Sequence, residues 1–299
     1  MTTPLEGVIC AAVTPIQDHR PQLENLQTHV SRLISQGCDG VLVLGTTGEG
    51  PSMSLDEREQ VIQAAIEAAN GKAILAGTGC SSLPDTITST RRAFELGVDV
   101  AVVVPPFYFK NTIVEGLYAY YKRLIDEAVP SGKHLMLYHI PQVSEVPISF
   151  DLIHQLRDYA GERVIGVKDS TGVLAHAQEL CAEFPDLTIF VGNDRLLLDG
   201  LRAGAAGCIT AAANVLAPVA VDVYRQFKAG EDAETTQQHL TTARELLNKY
   251  RPSAPTLKAL LAARYQTAGW DVRPPLVPLS DSLRMNLLQD IEALPISMM

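Results

Sequence analysis

Two periodicities alternate along the chain. Short, mainly apolar runs of strand length occur at 8–13, 40–44, 73–76, 98–104, 134–139, 164–167, 188–191 and 207–210. Between them lie segments of helical period at about 22–36, 54–70, 83–96, 114–128, 150–158, 173–184 and 195–203. Runs that are apolar at every position suit a parallel sheet covered by helices. Eight such alternations at roughly 30-residue spacing predict an α/β fold, a (β/α)8 TIM barrel. An open doubly wound sheet is the alternative, but it carries a glycine fingerprint after its first strand, and here the first run ends in Thr14-Pro15.

Beyond Thr210 the chain continues to residue 299, further than one closing helix requires. Helical period predicts helices at 215–228, 232–249, 253–268 and 283–293, with Gly230 and Gly269 at helix ends and Pro252 and Pro255 at a new start. The expected organisation is a barrel catalytic domain over 1–228 and a C-terminal helical extension over 229–299 packed on it.

Composition narrows the classes of partner. The chain has 24 Lys plus Arg against 34 Asp plus Glu, a net charge of −10, and no basic cluster interleaved with aromatics. Nucleic acid is therefore not an expected partner. The five cysteines (Cys10, Cys38, Cys80, Cys181, Cys208) are odd in number, spread out and without a C-x-x-C pair, which suits reduced thiols. The opening MTTPLEGVICAAVTP lacks a basic region, and Glu6 and Pro15 interrupt it too early for a signal peptide. The uncharged stretch 203–221 contains Gly204, Gly207, Asn214 and Pro218, and reads as a strand, a loop and a helix start, not a membrane span. A cytoplasmic protein without membrane contact is expected.

In such a barrel, polar residues at the C-terminal ends of strands are the candidates for chemistry. After the second run, Gly45-Thr46-Thr47-Gly48-Glu49-Gly50 offers backbone amides and two hydroxyls to a ligand, or is simply a tight turn; the Gly-Lys-Ser/Thr of a nucleotide-binding loop is missing. Lys168 closes the sixth run. A lysine there is costly to bury, and as an amine it can attack a ketone; the bland reading is a rim lysine paired with Asp169, although strand neighbours point to opposite faces. Tyr138 ends the fifth run and is either a proton relay or a core tyrosine. His139 should then face the helices. His134 and His139 lie on opposite faces and cannot pair on a metal, and no carboxylate cluster or H-E-x-x-H occurs, so no metal is expected. Tyr108, in Pro105-Pro106-Phe107-Tyr108-Phe109-Lys110 after the fourth run, sits in an aromatic loop that suits an interface.

Taken in order and spacing, GVICAAVTP, GTTGEGPSMSLDER, VVVPPFYFK, YHIP, GVKDS, VGND and GAAGCIT resemble the dihydrodipicolinate synthase / N-acetylneuraminate lyase family of Schiff-base aldolases. The resemblance implies a (β/α)8 barrel, usually a homotetramer, that binds pyruvate or another 2-oxo acid with no metal or organic cofactor. It places Lys168 at the imine position and Tyr138 at the catalytic tyrosine. Thr46 and Thr47 match the pair that holds the carboxylate of the 2-oxo acid and joins the relay. Tyr108 matches a tyrosine that completes the relay across a subunit interface, and Ile209 a residue whose backbone shapes the pyruvate pocket.

Departures from the family patterns bear on the substrate. Synthases of the family usually carry an arginine two residues after the Y-x-x-P segment; here Gln142 and Val143 follow Pro141. An aliphatic Val143 cannot hold a carboxylate. Sialic acid lyases typically read GYDE after the seventh strand, where this chain has Gly192-Asn193-Asp194-Arg195. The expected activity is an aldolase or lyase acting on pyruvate and 2-keto-3-deoxy acids, with an aldehyde or sugar acid as second partner. A dihydrodipicolinate synthase, a dehydratase working through the same imine, and a non-catalytic 2-oxo-acid-binding protein are the alternatives, the last disfavoured because a binder has no need of Lys168. Arg195 either contacts the far end of the substrate or pairs with Asp194 or Asp199 on the surface.

Overall fold

The structure, a computed structural model, describes residues 5–294. Eight parallel strands close into a barrel: β1 (Gly7–Ala11), β2 (Gly40–Val43), β3 (Ala73–Gly77), β4 (Val100–Val103), β5 (His134–His139), β6 (Val164–Asp169), β7 (Thr188–Val191) and β8 (Gly207–Thr210), the last pairing back onto β1. Around them run α1 (Leu23–Ser35), α2 (Leu55–Ala68), α3 (Leu83–Leu96), α4 (Val114–Ala128), α5 (Phe150–Ala160), α6 (Leu174–Glu183), α7 (Leu197–Arg202) and α8 (Ala213–Ala229). This is the (β/α)8 TIM barrel that the alternating periods predict. The uncharged stretch 203–221 folds as β8, a turn and the first half of α8. No helix among the described residues is long and apolar enough to cross a membrane.

Side-chain alternation divides each strand between two cores. Met136 and Tyr138 of β5 pack in the barrel interior with Ile9, Leu42, Leu75, Phe190 and Ile209. Leu135, Leu137 and Val167 instead join the layer between barrel and helices. The β5–β6 register sets Tyr138 against Lys168 and His139 against Asp169. A period of two therefore puts Lys168 on the interior row and Asp169 on the outer one.

The C-terminal region continues as α9 (Glu234–Lys249), α10 (Ser253–Tyr265) and α11 (Asp281–Glu292). Helix α10 is shorter than its sequence period suggests. It ends where Gln266 takes a left-handed backbone (φ 52°), before Gly269 is reached. A small hairpin after β1, Ile16–Gln17 against Arg20–Pro21, has no counterpart in the periodicity, and its Ile16 bridges to Trp270. The extension grips the barrel through polar side chains. Gln237 accepts from the Leu198 amide (3.1 Å) and donates to the Asp194 carbonyl (3.0 Å), while Asn25 donates to the Ala268 carbonyl (2.8 Å).

His29 of α1 lies at the centre of this junction and is 1% exposed. The Asn214 amide donates to the Ala11 and Ala211 carbonyls, so its oxygen must be the group facing His29 Nε2 at 2.8 Å. Nε2 therefore carries the proton and donates, and Nδ1 accepts from the Tyr265 hydroxyl at 3.1 Å. Burial disfavours the imidazolium and holds His29 down at about 4. A histidine depressed in this way contributes fully above its unfolded value near 6.5 and loses that contribution as pH falls from there through 4. The loss by pH 4 is about 3 kcal/mol at roughly 1.4 kcal/mol per pH unit. Urea unfolding at pH 7 and 4.5 should accordingly show a shallower pH slope in His29→Asn than in the wild type. Equal slopes would remove His29 as a source of acid sensitivity.

Candidate active site

Lys168 is 3% exposed, and its Nζ stands 4.0 Å above the centroid of the Tyr138 ring. Both residues are the penultimate ones of adjacent strands and lie inside the barrel, so a ketone at the lysine amine also lies against the Tyr138 ring. Ile209 belongs to the same interior cluster as Tyr138, one residue before the end of β8. A primary amine, a phenol and an apolar wall converge at the end of the barrel where such enzymes carry out their chemistry.

The Thr46–Thr47 turn follows β2 at the same end. Thr46 is exposed and Thr47 half-buried. The turn closes on itself, Glu49 N–H donating to the Thr46 carbonyl (3.2 Å) and Gly50 N–H to the Gly45 carbonyl (3.1 Å). Thr14 Oγ1 holds the Gly48 carbonyl at 2.7 Å. A Cβ at Gly50 would lie 1.9 Å from the Leu44 carbonyl oxygen, so a side chain there would open the turn. The N–H groups of Thr46, Thr47 and Gly48 donate to no oxygen among the described residues. They are the groups a carboxylate can use.

The other sequence candidates are spread around this centre. Gly192 follows β7 and is half-buried; a Cβ on it would fall 2.0 Å from Ser170 Oγ, which brings the ends of β6 and β7 together. Tyr108 is 73% exposed, with its ring edge-on to Phe109 at 5.2 Å. Arg195 is exposed and pairs with Glu245 of α9 at 3.6 Å, not with Asp194 or Asp199 as its sequence neighbourhood suggests. The correction has a simple cause. Asp194 turns inward, wholly buried, where Arg244 approaches it at 3.7 Å and burial raises its carboxyl above the usual range. Asp199, for its part, pairs with Arg202.

Behind Lys168 and Tyr138, on the outer row, sit His139 and Asp169, joined by His176 of α6. His139 faces the helices, as its position one residue after Tyr138 predicts. Its ring stacks on that of His176 (centroids 4.9 Å apart, 16° between planes), and its Nδ1 accepts from the Ile148 amide at 3.0 Å. Burial, with His176 beside it, holds His139 at about 4; the hydrogen bond to Asp169 raises His176. The three residues could each offer one metal-ligand atom within 4.8 Å of the others. The stacked rings and existing bonds fit packing better: His139 Nδ1 is already used, and Asp169 accepts from both the Thr171 amide and its hydroxyl at 3.1 Å. Sequence reading identified His139 but missed His176. Its one signal is a histidine in the first turn of the helix after β6.

Fold and site together define a (β/α)8 barrel with an amine and a phenol enclosed in its mouth. A model of the Dihydrodipicolinate synthetase family matches residues 4–294. The chain is 41% identical over 277 residues to an uncharacterized DapA-like lyase of Chloroflexus aurantiacus, covering 92% of each chain. It is 33% identical over 296 residues to a 4-hydroxy-tetrahydrodipicolinate synthase of Exiguobacterium, covering 96% of this chain and 97% of that one. Among solved structures, the dihydrodipicolinate synthase of Acinetobacter baumannii complexed with pyruvate superposes with a TM-score of 0.88 at 30% identity, over 97% of this chain and 98% of that one. YagE of E. coli K12, in complex with pyruvate, superposes with a TM-score of 0.90 at 24% identity over 98% and 99% of the two chains, a likeness of fold. The chain belongs to the Dihydrodipicolinate synthetase family and is a lyase.

Proposed function

We propose that this lyase forms an imine between Lys168 and pyruvate or a 2-keto-3-deoxy acid, and makes or cleaves the carbon–carbon bond beside it. The observation that carries the reading is the Lys168 amine held 4.0 Å over the Tyr138 ring inside the barrel. Pyruvate complexes of similar proteins support the choice of 2-oxo acid. The amine adds to the ketone carbon, water leaves and a C=N⁺ bond forms. In the cleavage direction the C3–C4 bond breaks, its electron pair passes to the iminium nitrogen, and the C4 hydroxyl loses its proton through the Tyr138 phenol. The resulting enamine is protonated on carbon, and hydrolysis returns pyruvate and the amine. The imine is itself the electron sink, so the step calls for no cofactor.

In this reading the amides and hydroxyls of Thr46 and Thr47 hold the carboxylate and turn the ketone toward Lys168. Ile209 and Gly192 shape the pocket. Tyr108 acts from the surface of one subunit into the relay of another. Exposed Tyr108, Phe109 and Ile113 support such a face, and a cytoplasmic homotetramer is the proposed assembly. Residues 1–228 form the catalytic unit and 229–299 its brace. The relatives named as synthases favour a second reading, condensation with aspartate semialdehyde. Val143, 54% exposed on the short helix Pro141–Ser144, argues against it, because nothing at that position can hold a second carboxylate.

A panel of aldehydes offered with pyruvate tests the choice. Aldol products with sugar-type aldehydes are expected. Turnover with aspartate semialdehyde alone would replace this reading by the second one.

Arg195 is proposed as the contact to the substrate's far end. Its pair with Glu245 is exposed on both sides, and such pairs contribute less than about 1 kcal/mol, so the guanidinium is free to turn. Arg195→Ala should raise KM for the preferred partner by about 1–3 kcal/mol equivalent and leave pyruvate trapping untouched. An unchanged KM across the panel would leave Arg195 a surface residue.

A further inference from the structure

A lysine and a glutamate far apart in sequence meet in the interior beside the Thr46–Thr47 turn. Glu49 is 3% exposed, and Lys258 of α10 is fully buried. Lys258 Nζ donates to Glu49 Oε1 and, at 2.6 Å, to the Asp271 carbonyl. The other carboxylate oxygen of Glu49 accepts from the Arg273 amide at 2.9 Å. The Arg273 guanidinium continues the grip, donating to the Ser52 carbonyl (2.6 Å) and to both carboxylate oxygens of Glu57 (2.7 and 2.9 Å). Glu57 in turn caps α2 through Ser54. Residues 258–273 of the extension thus hold residues 49–57, the segment that begins inside the turn, at several points.

A buried ion pair is a poor source of stability, since desolvating two charges offsets most of their attraction, and apolar residues of similar volume often do as well. What it supplies is direction. Glu49 takes a left-handed backbone (φ 55°), and its N–H closes the turn onto the Thr46 carbonyl. Where its carboxylate is tied therefore decides how the Thr46, Thr47 and Gly48 amides are presented. Burial pushes the Lys258 ammonium below the ordinary lysine range, and the Glu49 carboxylate opposes that shift. From the inner side, Arg58 fixes the same segment by donating to the Gly50 carbonyl at 2.7 Å.

We propose that Glu49 and Lys258 are positioning residues, through which the C-terminal extension holds the Thr46–Thr47 turn in the shape that receives the substrate's carboxylate. The proposal rests on the assignment of that turn to the 2-oxo acid. It separates the grip on substrate from the chemistry at Lys168, which lies on another strand and should remain competent once pyruvate is bound.

The test uses the full-length protein and three variants: Lys258→Met, the double variant Glu49→Gln/Lys258→Met, and Tyr250→Phe. The last removes only the Tyr250–Asp290 hydrogen bond (2.8 Å) within the extension. The readouts are the pyruvate concentration giving half-maximal borohydride trapping, the melting temperature, and amide exchange in a peptide spanning 44–53. Lys258→Met should raise the half-maximal concentration at least 10-fold while saturating pyruvate still labels Lys168, and should speed exchange in the peptide. The double variant no longer buries a lone carboxylate, so it should recover melting temperature without recovering pyruvate affinity. Tyr250→Phe should match the wild type. A half-maximal concentration within 2-fold of wild type in Lys258→Met, or one that recovers together with the melting temperature, overturns the proposal. If Lys258→Met does not fold, the double variant, which leaves no lone buried carboxylate, carries the test by itself, with the same expectation for pyruvate affinity and the same overturning result. A wild-type protein that pyruvate never labels would instead overturn the substrate assignment. The exchange data then decide the positioning claim, and unchanged exchange overturns it.

Discussion

Replacing Lys168 with alanine is expected to reduce turnover to the uncatalysed background and to abolish trapping of pyruvate. The amine that stands over the Tyr138 ring is then gone, and every later step of the proposed reaction depends on the iminium it would form. Lys168→Arg separates charge from nucleophilicity. A guanidinium can keep the positive charge over the ring, but it stays protonated and cannot form the imine, so it should be as inactive as the alanine variant. Activity in Lys168→Arg would mean that Lys168 contributes charge alone. Steady-state assay of both variants, with circular dichroism to establish folding, makes the comparison.

Tyr138→Phe should lower turnover by roughly 10²–10⁴-fold, the usual contribution of a positioned proton donor or acceptor. The substitution is selective. The ring stays, along with its packing in the barrel interior and its face beneath Lys168 Nζ, and only the hydroxyl is lost. Imine formation should therefore remain measurable by trapping, so that the loss falls on proton transfer. Unchanged turnover would make Tyr138 a core residue with no part in the relay.

The barrel was legible because its strands are buried on both faces and so carry an unbroken apolar signal. The runs at 134–139, 188–191 and 207–210 coincide with β5, β7 and β8. The inward direction of Lys168 and the outward one of Asp169 and His139 also follow from a period of two, once the strands are placed. The hairpin at Ile16–Gln17 and Arg20–Pro21 did not, because two-residue strands have no period to read. Helix α10 ends at Tyr265 because Gln266 accepts a left-handed backbone, a choice that a glycine-based rule assigns to Gly269.

Pairings across the fold were the least legible. Lys258 and Glu49 are 209 positions apart, and Arg195 meets Glu245 on a helix of the extension. Local charge spacing pointed Arg195 at Asp194, which burial takes out of reach of the surface. The signal that a pair such as Glu49–Lys258 does leave is a lone charge in an apolar or glycine-rich setting. Glu49 stands among the glycines of its turn, and Lys258 lies in Pro255-Thr256-Leu257-Lys258-Ala259-Leu260-Leu261. Such a charge needs a partner somewhere, and only the fold says where.

The central claim is that Lys168 carries the substrate as an imine. Peptide mapping by mass spectrometry, after borohydride reduction of the wild-type protein with pyruvate, tests it most directly. The predicted result is the mass of a reduced pyruvyl group on the peptide containing Lys168 and on no other. Label on a different lysine, such as Lys258, or no label at saturating pyruvate, would contradict it.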